Sequence, residues 1–110
     1  MPFYLYQLAY SSEAIKAMVA DPTDREAAAR TLVEALGGKL HHMFFAFGQY
    51  DVVCLIEGPD DMFMMAGAAS VGATGTVSAS ATTKLMTSSE AMAALKKAGE
   101  VTGAYQPPHG

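Results

Sequence analysis

A chain of 110 residues makes one domain, long enough to bury a core without disulfides or a structural metal. Hydrophobic residues are 51% and charged residues 16% of the chain, against roughly 45–50% and 25% in ordinary soluble domains, so a lone copy is expected to expose an unusually apolar surface and to associate. The net charge of −4 and the seven scattered Lys and Arg exclude the basic stripe that a nucleic-acid surface needs.

The N-terminal run Met1-Pro2-Phe3-Tyr4-Leu5-Tyr6-Gln7 lacks the basic segment and continuous apolar stretch of a signal peptide, so no leader is expected. No window reaches the roughly 18 apolar residues of a membrane span. Cys54 is the one cysteine, which excludes a disulfide within the chain and fits a reduced, cytoplasmic setting.

Residues 3–10 are rich in aromatic and branched side chains and predict a first strand, with Tyr4, Tyr6 and Tyr10 on one parity. Ser11 and Ser12 cap a short helix through about Val19. Asp21-Pro22 then predicts a longer helix, with Asp21 as N-cap and Pro22 in the first helical position. That helix runs to Leu36, buries Ala28, Leu32, Ala35 and Leu36, and stops at Gly37-Gly38.

A second strand is expected over 39–47, and Gly48-Gln49 suits a two-residue type II′ hairpin, which places Gly first. The implied pairs are Phe47 with Tyr50, Ala46 with Asp51, Phe44 with Val53, His42 with Leu55 and Leu40 with Glu57. Alternation puts Met43, Phe45, Phe47, Tyr50, Val52, Cys54 and Ile56 on the face expected to meet helices. The opposite face carries Leu40, His42, Phe44, Ala46, Asp51, Val53, Leu55 and Glu57. It is apolar enough to be buried, yet its polar residues suit a partner or a cavity.

Pro59-Asp60-Asp61 opens another helix with carboxylates at its positive end, and Met62, Met65, Ala66 and Ala69 form a narrow apolar stripe towards Gly72. Residues 75–86 predict the last strand, with Val77, Ala79, Ala81, Thr83 and Leu85 on one parity. Thr87-Ser88-Ser89-Glu90 is a capping box for a terminal helix to about Lys97. Residues 99–110, with Gly, Pro and Gln, read as a flexible C-terminal tail.

The order β-α-β-β-α-β with an extra C-terminal helix is an α+β, ferredoxin-like arrangement over residues 1–98: one antiparallel sheet with helices on one face. Two such sheets stacked on their open faces would give a dimeric α+β barrel. The aromatic second strand falls at a sheet edge and needs cover from another chain or from the terminal helix.

Gly48-Gln49-Tyr50-Asp51 resembles the motif of the GYD domain family, small bacterial and archaeal proteins of largely unassigned function. The resemblance extends to Leu36-Gly37-Gly38-Lys39-Leu40, to Asp51-Val52-Val53, to Ile56-Glu57-Gly58-Pro59-Asp60-Asp61, and to Tyr4 in the first strand. It spans residues 1 to about 96 and implies a ferredoxin-like, dimeric α+β-barrel fold. The Ser/Ala-rich last strand and the proline-bearing tail depart from the family pattern.

The candidate polar contacts for a ligand are His42, Tyr50 and Asp51, on or beside the open face. Each has a structural alternative: an interfacial histidine, packing for the tyrosine, and for Asp51 acceptance of amides at a tight turn. Tyr4, Tyr6 and Tyr10 offer further phenols. His41 and His42 point to opposite faces and cannot share one ion within a single chain, so a metal site would need His42 from two subunits, with Glu57 or Asp51; His109 is a weak ligand candidate, the spacing of a metal site is absent, and neither metal nor cofactor is expected. His42 and Asp51 lie about 13 Å apart along the hairpin, too far for an acid–base dyad within one chain.

Cys54 alternates inward as an inert thiol, Met62, Met64 and Met65 fill core, and no phosphate-binding glycine pattern occurs. The third strand, Tyr-Asp-Val-Val-Cys-Leu-Ile-Glu, lacks the basic, aromatic pattern of RNA-recognition domains. Three readings remain. One is an oligomeric binding or accessory protein holding a small, mostly apolar ligand between stacked sheets. The second is a cofactor-independent enzyme of the monooxygenase or muconolactone-isomerase kind, by analogy of fold alone. The third is a structural assembly subunit with no cavity.

Overall fold

A computed structural model of the protein describes residues 1–108, and His109 lies outside them. The elements in order are β1 (Phe3–Tyr10), α1 (Ser12–Ala20), α2 (Arg25–Ala35), β2 (Lys39–Phe45), β3 (Val52–Glu57), α3 (Asp61–Gly72), β4 (Val77–Leu85) and α4 (Ser88–Val101), closed by a 3-10 turn at Thr102–Ala104. The strands form one antiparallel sheet in the order β2-β3-β1-β4, with β1 between its two long-range partners. This is the ferredoxin-like α+β arrangement expected from the sequence, and β2 is an edge strand as expected.

Side-chain oxygens start each helix. Ser11 accepts from the Ala14 amide, Asp24 from Ala27, and Asp60 from Phe63. Thr87 and Glu90 exchange the two bonds of a full capping box. One start differs from expectation. Asp21 ends α1 by donating its amide to the Ala17 carbonyl, with an extended backbone (φ −148°, ψ 84°) of the kind that a following proline enforces. Its amide and conformation serve the preceding helix, so the long helix begins three residues later under Asp24.

The hairpin register also departs from the simple two-residue turn. Phe44 faces Val53 and His42 faces Leu55 as read from the sequence, but a bulge between Leu40 and His42 sets Leu40 opposite Ile56 and Lys39 opposite Glu57. The extra residue turns Leu40 onto the helix-packed side, where it is 3% exposed. His41 bonds Glu57 instead, Nε2 to Oε1 at 2.8 Å. β2 ends at Phe45, and the Ala46 amide donates to the Asp51 carbonyl across the loop, with Gly48 at φ +105° where a side chain would be strained.

The core is built from alternate residues of the two central strands, Tyr4, Tyr6 and Leu8 from β1 and Val52, Cys54 and Ile56 from β3, met by Val33 of α2 and by Phe63 and Met64 of α3. Phe45 and Phe47, expected on this face, are instead exposed. They sit at the free end of an edge strand, where Phe45 has only the Tyr10 ring at 6.3 Å. On α3 the buried pair is Phe63 and Met64, while Met62 and Met65 face solvent. The Phe63 ring packs between Gly38 and Gly58, whose missing Cβ atoms make its slot.

Among the described residues no helix covers the other face of the sheet. Phe3, Leu5, Gln7, Val53, Leu55 and Glu57 are only half-buried there, and Phe44 is 63% exposed. α4 runs through Gly99 to Val101, four residues past the expected Lys97, and the Thr102 hydroxyl closes its last turn on the Ala98 carbonyl at 2.6 Å. It buries no residue and packs chiefly on the turn that follows it. The molecule is accordingly drawn out to 60 Å, with a radius of gyration of 18.1 Å against about 13 Å for a compact chain of this length. The edge of β2 therefore does not gain the terminal-helix cover considered above.

Candidate ligand cavity

The sheet, α2 and α3 border a cavity of about 360 Å³ that is partly open to solvent, within the size range of small-molecule sites. Its floor is the inward parity of β1 and β3, including Leu8, Val52 and Cys54. Its walls are Leu32 and Leu36 of α2 and Met64 and Val71 of α3. The space exists because α2 presents Ala28 and Ala29, and α3 presents Gly67 and Ala68, where larger side chains would have met.

The polar groups on the cavity are few. Tyr6, Tyr10, Arg25, Ser70, Thr74 and Thr76 contribute them, along with the Cys54 thiol. Burial pushes the Cys54 thiol up to about 11, and the nearby Glu26 charge adds to the shift. Burial also raises Tyr6 and Tyr10, against the opposing influence of Ser80 on the first and of Arg25 on the second. At neutral pH the thiol and both phenols therefore keep their protons. They can donate hydrogen bonds and cannot act as general bases. Among the described residues, no Asp, Glu or His lines the cavity, and no cluster of three His, Cys, Asp or Glu suited to a metal occurs.

The residues singled out from the sequence lie elsewhere. His42 is exposed on the open face with its ring stacked on Phe44 at 5.9 Å. Tyr50 is half-buried in the β2–β3 loop. Asp51 turns its carboxylate to the end of β1, where Oδ2 accepts the Tyr10 amide at 2.8 Å while its own amide donates to the Leu8 carbonyl. The amide it accepts is thus one at the end of β1 and not one of its own β2–β3 turn. Of the four phenols noted in the sequence, Tyr6 and Tyr10 reach the cavity. Tyr4 instead donates to Asp61 Oδ1 at 2.7 Å, and Lys84 approaches the same oxygen at 3.0 Å.

Sequence reading missed Arg25. The signal was present in Asp24, a cap residue followed three positions later by a small helical run. Choosing Asp21 instead placed Arg25 inside the helix body rather than at its first position, beside the end of β1.

The GYD domain family model matches residues 4–95. No curated protein matches the chain. Among solved structures, FFRP-DM1 aligns with a TM-score of 0.49 and 10% identity, over 78% of this chain and 100% of its own. MtbAldR aligns with a TM-score of 0.53 and 12% identity over 78% of this chain and 52% of its own, so the chain spans about half its length. At that identity the likeness to MtbAldR concerns the fold.

Proposed function

The chain belongs to the GYD domain family, and we propose that it is a small binding module: a homodimer formed by stacking the open sheet faces, each chain holding a small apolar molecule in its sheet–helix cavity. The observation that carries this reading is the cavity itself, apolar in its floor and walls and edged by a few hydrogen-bond donors, the phenols and Arg25 among them. A purely structural subunit has no use for such a void, since close packing is the rule in a domain interior. Acid–base catalysis is the weaker reading, because the groups facing the space hold their protons at neutral pH.

Self-association is supported by the uncovered face. Sheets pack about 10 Å apart through interdigitated side chains, and Phe44, Leu5, Val53 and Leu55 offer an apolar centre for such a contact. In this reading His42 and Tyr50 belong to the subunit contact, and Asp51 to the hairpin that shapes it.

Native mass spectrometry with sedimentation equilibrium tests both parts. A dimer is expected, split into monomers by Phe44→Asp, and taking up one molecule of 1-decanol per chain. A wild-type monomer overturns the stacking, and a dimer that neither retains nor takes up a small apolar molecule overturns the binding role.

A further inference from the structure

Among the described residues, Arg25 is the only charged one lining the cavity. It is half-buried, and no carboxylate pairs with it among the described residues; its guanidinium donates to Thr23 Oγ1 at 3.3 Å through Nη1. The acidic groups around it are already engaged. Glu26 holds Arg30 at 3.1 Å, Asp24 caps α2 through the Ala27 amide, and Asp51 accepts the Tyr10 amide. A guanidinium offers five donors in a rigid fork that fits a carboxylate, and here most of them have no protein acceptor.

Tyr10 lines the same space with Arg25 as a hydrogen-bonding neighbour of its phenol oxygen, and it retains its proton at neutral pH, so its O–H is a second donor beside the cation. Behind these two groups the surface turns apolar, with Leu32, Val52 and Met64. One cation, one neutral donor and a hydrocarbon-lined recess match a molecule with a single negative charge at one end. A dianion such as a doubly ionised phosphate ester would leave one negative charge unmatched.

We propose that the cavity takes an apolar carboxylic acid, its carboxylate gripped by Arg25 and Tyr10 and its hydrocarbon part lying between the sheet and α2 and α3. This rests on the cavity being the ligand site, and the test separates the two claims. Decanoate and 1-decanol share a chain and differ in the charged end. Isothermal titration at pH 7 should show wild-type protein binding decanoate about tenfold more tightly than 1-decanol, the contribution of one charge-assisted pair. Arg25→Gln should abolish that preference by weakening decanoate about tenfold more than 1-decanol, and Tyr10→Phe should reduce it.

Equal affinities in the wild type overturn the acid specificity while leaving the cavity as an apolar site. A preference that survives Arg25→Gln likewise overturns it, since the charge must then be met elsewhere. If neither compound binds, the cavity itself is not a ligand site and both claims fall.

Discussion

Gly58→Ala is expected to unseat the Phe63 ring. Gly58 is buried at the junction of β3 and α3 and has no positive φ, so its backbone accepts alanine and only space is at issue. A Cβ there would stand 2.6 Å from Phe63 Cζ and closer to two other ring atoms. On the far side, the ring faces Gly38, where a Cβ would stand 2.5 Å from Cε1 and 2.6 Å from the Glu57 carbonyl oxygen. The ring thus has no slack in either direction. Overpacking of this kind costs about 1–3 kcal/mol, and complete loss of a buried phenyl sets a ceiling of about 3–5 kcal/mol. We expect about 2 kcal/mol, which lowers the urea midpoint by about 1 M at a slope typical of small proteins. Urea unfolding at fixed protomer concentration, followed by circular dichroism, measures it. Phe63→Leu relieves the clash, so the double variant should be more stable than the sum of the single losses requires. A midpoint shift below about 0.3 M, or strict additivity in the double variant, would refute the argument from the glycine slot.

Filling the cavity should trade binding for stability. Ala29→Leu adds three carbons beside the core, worth up to about 2 kcal/mol at about 0.8 kcal/mol per buried methylene, and should abolish 1-decanol binding; a destabilised variant that still binds would mean the space is not a void. A separate expectation concerns alkaline stability. Burial, and then the hydrogen bond to Asp61, push Tyr4 up to about 12 from 10.0. The fold therefore favours the protonated phenol, and this contribution is complete below pH 10 and lost as pH rises towards 12. Tyr4→Phe should flatten the fall of stability over that window, and an unchanged alkaline slope would contradict the assignment. Cys54, up at about 11 and 4% exposed, should react slowly with a thiol reagent at pH 8 because little thiolate is present, and more slowly still once 1-decanol fills the cavity it lines; rapid labelling that 1-decanol does not slow would place the thiol away from the cavity.

The parity of β1 and both faces of β3 were legible in the sequence because period-two alternation of branched and aromatic residues is specific to half-buried strands. Tyr4, Tyr6 and Leu8 show it, as do Val52, Cys54 and Ile56. The capping box at Thr87 was equally legible, since Thr and Glu three residues apart supply both reciprocal acceptors. The phase of α3 was not. Met62 to Ala69 is apolar or small at every position, so helical periodicity carries no information there, and the cap at Asp60 together with the Gly38–Gly58 slot decides which side faces in. The bulge at His41 was hidden for a related reason: Leu40 and His41 satisfy alternation in either register until burial of Leu40 is weighed against the hairpin. The cavity was illegible because it is defined by what Ala28, Ala29, Gly67 and Ala68 lack. The candidate contacts were therefore sought on the open face, where polar residues stood out against apolar ones.

The most direct test of the account is methyl-resolved NMR during a titration with 1-decanol. The account requires shifts that saturate at one molecule per chain and centre on Leu32, Leu36, Val52 and Val71, the methyl groups around the cavity. Shifts centred instead on Leu5, Val53 and Leu55 would place the ligand between stacked sheets, and a spectrum that does not change would contradict the binding function altogether.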